Sequence, residues 1–385
     1  MSPAPRAEIV VDLAAIRHNV RVLRELAAPA AMMTVVKADG YGHGLVAAGR
    51  AAREAGAEWL GVATIEEALE LREAGDEGRV LCWLGVPGEN YAEAIAADVD
   101  VCAYTVAELA EISAGVARAG RPARLQLKVD TGLSRGGAAI EDWTGVVDAA
   151  RKGEETGDWT VTGIWSHFAC SDEPDHPAND AQEKVFLDAL DVAEHAGLRP
   201  EVRHLANSAA AILRPSSRFD LVRCGIASYG LDPAPGVTPD IGLVPAMTAR
   251  AALSLAKPIR SGAGVSYGHT WTADRDTTIG LVPVGYGDVA GVPGYAGNVA
   301  EVWLAGRRRP VRGRICMDQF VVDLDGELPH PGAGIVLFGT GFGGEPTATE
   351  WAEACGTINY EIVTRIGGRM VRRYVDEGVT PGVNS

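Results

Sequence analysis

The sequence of 385 residues lacks the features that mark several common classes of protein. It is poor in basic residues: 35 Lys and Arg side chains stand against 51 Asp and Glu, and the net charge of −16 repels nucleic acid and anionic lipid. No apolar run approaches the roughly 18 residues of a membrane span, and Arg6, Glu8 and Asp12 occupy the place of a secretory signal. We therefore expect a cytoplasmic protein whose partners include neither nucleic acid nor membrane.

Cysteine and lysine are both scarce. The six cysteines include no Cys-x-x-Cys pair, so we expect reduced thiols, no structural zinc and no metal site. Only five of the 35 basic residues are lysines. An enzyme that forms a covalent bond through a lysine amine would therefore have few candidates for that role.

Eight short apolar runs alternate with amphipathic helical stretches in the first part of the chain. The runs cover residues 32–36, 59–63, 80–84, 99–103, 124–129, 160–166, 202–205 and 220–223. The pairs Thr64 with Glu67 and Thr105 with Glu108 have capping-box spacing, which predicts that a helix begins after each threonine. Eight alternations favour an α/β fold of the (β/α)8 TIM-barrel class, and an open doubly wound sheet is the alternative.

A segment with four prolines, residues 231–245, interrupts the alternation. Short β-rich runs separated by Gly, Asn and Pro turns follow it. We predict a barrel over 1–240 and a mostly β domain over 241–385, with one helical stretch at 359–374. The apolar run EIVVDL near the start of the chain can belong to either domain.

Three glycines, Gly339, Gly341 and Gly344, have the spacing of a dinucleotide-binding fingerprint after the apolar run IVLF. That fingerprint requires a second parallel strand beyond its helix, and the sequence that follows continues as a helical pattern. We therefore expect no dinucleotide site in this segment.

Polar side chains follow the predicted barrel strands at their carboxyl ends, where barrel enzymes place their chemistry. Lys37 leaves the first strand, and an amine in that position can form a Schiff base; a lysine that merely reaches solvent is the alternative. The later strand ends carry Asp130, Ser134, Arg135, His167, Asn207, Ser208, Arg223 and Gly225. Turn formation, core packing and helix capping explain each of these singly, but their convergence on one rim indicates a site.

Small residues follow strands seven and eight beside a helix start, which is the usual phosphate site of such barrels. Free backbone N–H groups and the helix dipole receive an anion there. A phosphorylated cofactor beside an amine suggests pyridoxal 5′-phosphate.

Seven motifs in order resemble alanine racemases. They are VVKADGYGHG at 35–44, KVDTGLSRGG at 128–137, SHFA at 166–169, HLANSAA at 204–210, GVSYGHTW at 264–271, GRICMDQ at 313–319 and INYE at 358–361. The resemblance implies a fold-type III pyridoxal-phosphate enzyme with a barrel, a C-terminal β domain and a head-to-tail homodimer. It also implies interconversion of L- and D-alanine, with D-alanine supplied for peptidoglycan.

The resemblance further implies roles for individual residues. Lys37 is similar to the lysine that binds the cofactor and acts as one base, and Tyr267 to the opposing base. Arg135 and Met317 resemble the groups that bind the substrate carboxylate, Arg135 also bonding the cofactor's phenolic oxygen. Lys128 resembles a lysine that is carbamylated in many members of the family and holds Arg135 in place.

Further residues resemble those that bind the cofactor. Phosphate ligands are implied at Tyr41, Ser208, Gly225, Ile226 and Tyr360, neighbours of the ring at His167 and Asn207, and a partner of the pyridine nitrogen at Arg223. A chain from Tyr267 through His167 to Arg223 is expected to tune the tyrosine. Because guanidinium does not give up its proton, Arg223 should leave the ring nitrogen unprotonated and so limit side reactions.

Three questions of function and assembly remain open at this stage. A serine or broad-specificity racemase would differ in the size of the pocket around Tyr360 and Met317. A fold-type III decarboxylase would carry a cysteine in the C-terminal domain and an acidic residue facing the ring nitrogen, where this sequence has Arg223. Lys37 and Tyr267 are expected to come from different subunits, because nothing in the sequence makes the β domain fold over its own barrel mouth.

Overall fold

The computed structural model describes residues 5–288 and 296–377. Strand β1 (Ala7–Asp12) comes first, followed directly by helix α1 (Leu13–Ala27). The buried side chains of α1 include Ile16, Val20 and Leu23. No helix within the described ranges has both the length and the apolar character needed to cross a membrane.

Eight parallel strands form a sheet in the order β8-β7-β6-β5-β4-β3-β2-β9. They are β2 (Ala31–Val35), β3 (Trp59–Val62), β4 (Arg79–Cys82), β5 (Asp100–Ala103), β6 (Ala123–Lys128), β7 (Trp159–Trp165), β8 (Val202–His204) and β9 (Leu221–Cys224). Backbone hydrogen bonds from Asp220 N to Arg203 O at 3.1 Å and from Arg223 N to Ala206 O at 3.0 Å join the two end strands. The sheet therefore closes, and the predicted TIM-barrel class is confirmed.

Helices lie between the barrel strands along the chain. They are α2 (Lys37–Tyr41), α3 (Leu45–Glu54), α4 (Ile65–Glu73), α5 (Tyr91–Ala96), α6 (Val106–Ala119), α7 (Ile140–Thr156), α8 (Ala178–His195) and α9 (Ser208–Leu213), with 3₁₀ segments at Pro215–Ser217 and Ile226–Tyr229. Both predicted capping boxes are present, at Thr64 before α4 and at Thr105 before α6. Their threonine side chains satisfy amides that a helix start leaves without partners.

The C-terminal domain is mostly β, as predicted. Its elements are β10 (Met247–Ala252), β11 (Leu255–Ile259), β12 (Gly264–Val265), a 3₁₀ segment (Tyr267–His269), β13 (Trp271–Thr272), β14 (Thr277–Val282), β15 (Glu301–Leu304), β16 (Arg307–Arg312), β17 (Phe320–Asp323), β18 (Gly334–Phe338), α10 (Ala348–Cys355), α11 (Asn359–Arg365) and β19 (Val371–Val375). Nine strands form one sheet in the order β11-β14-β17-β16-β15-β18-β10-β1-β19. Strand β1 thus lies inside this sheet, antiparallel to β10 and parallel to β19.

The prediction of one helical stretch over 359–374 is wrong. Helix α11 ends at Arg365, and Gly368 adopts a left-handed φ of 57° that breaks the helical path. The residues beyond it form β19, because pairing with β1 satisfies their backbone and overrides the local helical pattern. Helix α10 was not predicted, although Thr347 and Glu350 form a capping box at its start.

The glycines at 339, 341 and 344 follow β18, which pairs antiparallel with both β10 and β15. Glu345 accepts the amides of Gly341 and Gly343, each at 2.9 Å. This loop is therefore not the turn of a parallel βαβ unit.

Candidate active site

A cavity of about 500 Å³ opens at the carboxyl ends of the barrel strands. The structure brings eleven of the thirteen predicted site residues to its wall: Lys37, Tyr41, Lys128, Arg135, His167, Asn207, Ser208, Arg223, Gly225, Ile226 and Tyr360. Most come from strand ends that lie far apart in sequence, so barrel closure is what assembles them. Tyr360 comes from α11 of the C-terminal domain.

Lys37 lies where the first barrel strand opens into the cavity. Burial, and next the positive charge of Arg135, lower the pKa of Lys37, while Glu67 opposes the shift. The lysine Nζ lies 5.7 Å from the centroid of the Trp83 ring, within cation–π range. A larger fraction of this amine is therefore neutral at a given pH than in a solvated lysine.

The backbone after Lys37 turns through a left-handed helical turn. Ala38, Asp39, Gly40 and Tyr41 have φ values of 53°, 55°, 60° and 53°. For residues with a Cβ, this conformation costs roughly 1–2 kcal/mol each. The turn carries Tyr41 into the cavity wall beside Gly225, where a Cβ would lie only 2.3 Å from the tyrosine Oη. Gly225 is thus needed for this close approach.

Arg223 forms the centre of a buried polar network. Its side chain donates to the backbone oxygens of Ser166 at 2.8 Å and Leu205 at 3.1 Å, and to Nδ1 of both His204 (2.9 Å) and His167 (3.1 Å). Because each Nδ1 accepts, a neutral imidazole there carries its proton on Nε2. Burial, with the Arg223 charge next, holds the pKa of both His167 and His204 well below the usual value, so both are neutral.

Hydrogen-bond donors without protein acceptors converge at one end of the cavity. In the described chain, the Ile226 amide and the hydroxyls of Tyr41 and Tyr360 have no protein acceptor, and the Ser208 Oγ is positioned by the Gly225 amide at 3.0 Å. Phosphate oxygens accept several hydrogen bonds at once. This donor set therefore fits the phosphate of pyridoxal phosphate.

Four cations face the cavity, namely Lys37, Lys128, Arg135 and Arg223. Within residues 5–288 and 296–377, no ion pair joins any of them to a carboxylate. The Nε of Arg223 likewise has no protein acceptor there, although the side chain is only 4% exposed. In a protein of net charge −16, such a cavity fits a ligand that bears phosphate and carboxylate groups and an aromatic nitrogen acceptor.

Lys128 ends strand β6, and Arg135 lies in the loop that follows this strand. Asp130 accepts the amides of Gly132, Ser134 and Arg135 at 2.9–3.1 Å, which fixes the loop that carries Arg135. Burial lowers the pKa of Lys128 from 10.5 to about 8. Its Nζ lies 4.6 Å from the Trp165 ring centroid.

Asn207 lies in the cavity wall at the start of α9. Its side chain caps α9 by accepting the Ala210 amide at 3.1 Å, and it also accepts a hydrogen bond from the Ser171 hydroxyl at 2.9 Å. Both contacts hold the loop between β8 and α9, so the side chain has a structural role as well as a place in the cavity.

Tyr267 and Met317 do not line this cavity. Both lie on the C-terminal domain, where Tyr267 is 71% exposed and Met317 is 55% exposed. Tyr286 in the same domain is half-exposed. The backbone hydrogen bond from Gly287 N to Met317 O at 2.8 Å joins two of the loops involved. However, the expectation that the β domain leaves its own barrel mouth uncovered is wrong in part, because α11 places Tyr360 in that mouth.

Sequence reasoning missed several cavity residues, namely Trp83, Tyr104, Trp165 and Thr364. The first three stand at or directly after barrel strands, so the strand-end rule that singled out Lys37 identifies them as well. Thr364 lies one helical turn beyond Tyr360, whose backbone oxygen accepts its hydroxyl at 2.6 Å. Residues four apart share one face of a helix, so the position of Tyr360 could have predicted that Thr364 also faces the cavity.

Comparison with known sequences supports the resemblance along nearly the whole chain. Residues 11–233 match the family model of the alanine racemase N-terminal domain, and residues 246–374 match that of the C-terminal domain. The alanine racemase of Salinispora arenicola is 54% identical over 371 residues, covering 96% of this chain and 98% of that protein. The alanine racemase of Streptomyces coelicolor is 54% identical over 379 residues, covering 97% and 96%.

Solved structures agree with the sequence comparison. The alanine racemase of Streptomyces lavendulae superposes with a TM-score of 0.95 at 50% identity, covering 98% of this chain and 99% of that one. The alanine racemase of Streptomyces coelicolor gives a TM-score of 0.95 at 53% identity, covering 97% and 98%. Alanine racemases are isomerases that depend on pyridoxal phosphate, the cofactor that the cavity fits. With both domains matched and relatives alike from end to end, the chain belongs to the alanine racemase family.

Proposed function

We propose that this chain interconverts L- and D-alanine with pyridoxal phosphate as its cofactor. The observation that carries the proposal is the cavity itself, which a partly buried lysine amine shares with a cluster of unpaired donors suited to a phosphate. Bound there, the cofactor supplies an electron sink that acidifies the Cα–H of an attached amino acid. The residues of the protein must then hold the substrate and exchange one proton on either face of Cα.

Lys37 is the proposed cofactor ligand and the base for one face. Its lowered pKa increases the share of neutral amine that can take a proton at near-neutral pH. The proton would then reside on Nζ, where Glu67 favours the charged form. Tyr267 is the proposed acid and base for the other face.

His167 is proposed to link Tyr267 to Arg223. Since Arg223 donates to Nδ1 of His167, the imidazole offers its Nε2 proton to a phenolic oxygen. That hydrogen bond would hold the phenolic oxygen of Tyr267 in place, while Arg223 itself remains charged. The free Nε–H of Arg223 would meet an unprotonated ring nitrogen and limit charge spread into the ring.

Arg135 and Met317 are proposed to hold the substrate carboxylate, Met317 through its backbone amide. Lys128 is proposed to carry a carbamate that pairs with Arg135. Support comes from the pKa of Lys128, about 8, since carbon dioxide reacts with the neutral amine, and from the absence of an ion pair between a carboxylate and either Lys128 or Arg135 in the described residues. A ¹³C carbamate resonance that appears with labelled bicarbonate and disappears in Lys128→Ala would test this assignment.

We also propose a homodimer in which the exposed β-domain residues complete the partner's barrel site. The exposure of Tyr267 and Met317 supports this arrangement, because neither reaches the cavity of its own chain. The division at residue 240 rests on the proline-rich segment 231–245, and the supply of D-alanine to peptidoglycan rests on the resemblance. Together with action in the cytoplasm, they stay proposals.

Chiral chromatography tests the function directly. The purified chain, loaded with pyridoxal phosphate and given pure L-alanine, should produce an equal mixture of both enantiomers. L-serine in a parallel incubation tests the broad-specificity alternative, which requires comparable kcat/KM for both substrates. Formation of ethylamine from L-alanine would favour a decarboxylase and contradict the proposal.

A further inference from the structure

The left-handed turn after Lys37 needs support from outside itself. Three of its four residues carry a Cβ, so a right-handed turn would be the more stable local choice. Within the barrel, Glu67 Oε1 accepts the Ala38 amide at 2.7 Å, and Asp39 Oδ1 accepts the Leu45 amide at 2.9 Å. These contacts hold both ends of the turn but leave the second carboxylate oxygen of Asp39 free for another partner.

That partner comes from the other domain. Arg372 on β19 forms an ion pair with Asp39 Oδ2. Tyr374, two residues further and so on the same face of the strand, packs against Gly44, where a Cβ would lie only 2.0 Å from the tyrosine Oη. Strand β19 therefore contacts the barrel at both ends of the segment 39–44.

We propose that Arg372 and Asp39 act as positioning residues, through which the C-terminal sheet of the same chain holds the left-handed turn and thereby places Lys37 and Tyr41. This proposal rests on the proposed function, in which those two residues bind the cofactor. Arg372 does not touch the cavity, so its effect passes through Asp39 and the turn.

An ordinary surface ion pair is the competing explanation. The Asp39 side chain is 53% exposed and that of Arg372 is 26% exposed, and such pairs usually contribute little to global stability. The two explanations differ in where the effect falls. A positioning pair changes cofactor retention and the local opening of the turn, whereas a surface pair changes neither.

The same strand offers a matched control. Arg373 lies on the opposite face of β19 and pairs with Glu8 at 3.3 Å, within the C-terminal sheet and away from the turn. Arg373→Met thus removes the same type of side chain from the same type of ion pair, an arginine paired with a carboxylate. The test compares the parental holoenzyme with Arg372→Met, Asp39→Ala, the double variant and Arg373→Met.

Two measurements on the holoenzyme serve as readouts: the rate at which pyridoxal phosphate is lost to a trapping reagent, and hydrogen exchange of amides in residues 36–46. Arg372→Met should lose cofactor about fivefold faster, and Asp39→Ala about tenfold faster because it also loses the Leu45 contact. The double variant should resemble Asp39→Ala, because both changes remove one interaction. Exchange in 36–46 should rise in all three.

The control should stay within about twofold of the parent in both measurements. The proposal is overturned if Arg372→Met keeps parental cofactor loss and exchange, if Arg373→Met matches it, or if the effects of the two single changes multiply. Failure of the parent to racemise alanine would instead remove the proposed function, while amide exchange would still decide whether β19 holds the turn.

Discussion

The two halves of the proposed active site differ in how far one chain completes them. At the barrel mouth, Arg223 is 4% exposed and its Nη atoms are bonded to fixed acceptors. On the β domain, Tyr267 is 71% exposed and lies outside the cavity. Catalytic side chains need neighbours that lock their rotamers. The barrel half has those neighbours already, and under the proposal the β-domain half acquires them from a second subunit.

The most severe way to break the barrel half is to remove its amine. Lys37→Ala should lower racemase kcat by about 10⁴-fold, since one proton relay and the covalent anchor disappear together. Borohydride reduction of the parent followed by peptide mapping should place the pyridoxyl group on Lys37. Lys184→Ala, which changes an exposed lysine on α8, should keep parental activity. Recovery of the label on Lys128 would contradict the assignment.

The β-domain half is tested by exchanging subunits. Tyr267→Phe alone should lower kcat by about 10³-fold. When Lys37→Ala and Tyr267→Phe chains are dissociated and mixed, each mixed dimer regains one parental site if the site is shared. Random pairing then restores activity to about a quarter of the parental value. Mixed dimers that are seen by mass spectrometry but remain inactive would show that both bases act within one chain.

Arg223 tests the barrel half by itself, because contacts within its own chain, and not a second subunit, hold its side chain in place. Arg223→Glu should slow racemisation by about 10²-fold and increase the share of transamination, since a carboxylate can share a proton with the ring nitrogen. Pyruvate formed per racemisation event measures this share. Arg223→Lys keeps a positive charge but can give up its proton, so its share of transamination should lie between those of the parent and the glutamate variant. An unchanged ratio in the glutamate variant would exclude the proposed control of specificity.

Acid should weaken the barrel before the β domain. Burial lowers the pKa of His43 from 6.5 to about 4, and those of His167 and His204 also lie well below the usual value. Between about pH 6.5 and 4 the unfolded chain binds more protons than the folded chain does. The stability that the neutral imidazoles contribute is therefore present above pH 6.5 and is lost as the pH falls. The shift of His43 alone lowers the free energy of unfolding by about 3 kcal/mol near pH 4.

Thermal unfolding midpoints measured from pH 7 to pH 4.5 test this expectation, and hydrogen exchange resolves the two domains. Peptides from the barrel strands should lose protection first. A midpoint that stays constant over this range, or earlier opening of the β domain, would show that the three imidazoles do not control the acid response.

The barrel could be predicted because its signals are local. Each strand was found within one or two residues, since apolar runs and capping boxes such as Thr64 with Glu67 lie within a few residues of the element they define. The segment beyond Arg365 could not, because its pairing partner β1 lies at the other end of the sequence. The left-handed turn at Ala38 likewise depends on tertiary contacts. No local pattern contains them.

The cavity residues divide in the same way. Lys37 and Arg223 were predicted from their strand ends, because the barrel brings all such ends to one rim. The exposed position of Tyr267 was not predictable from composition or periodicity, since it depends on how the β-domain loops pack. Motif resemblance singled out the residue, and the structure shows only that its own chain leaves it at the surface.

The position of β1 between β10 and β19 has a consequence for synthesis of the chain. Strand β1 is synthesised before the barrel strands, but both strands that pair with it come after them, so its two edges stay unpaired while the barrel is made. The β domain cannot be completed by its own contiguous sequence. A product that stops before β19 therefore leaves one edge of β1 unpaired and lacks the contact that β19 makes with the barrel.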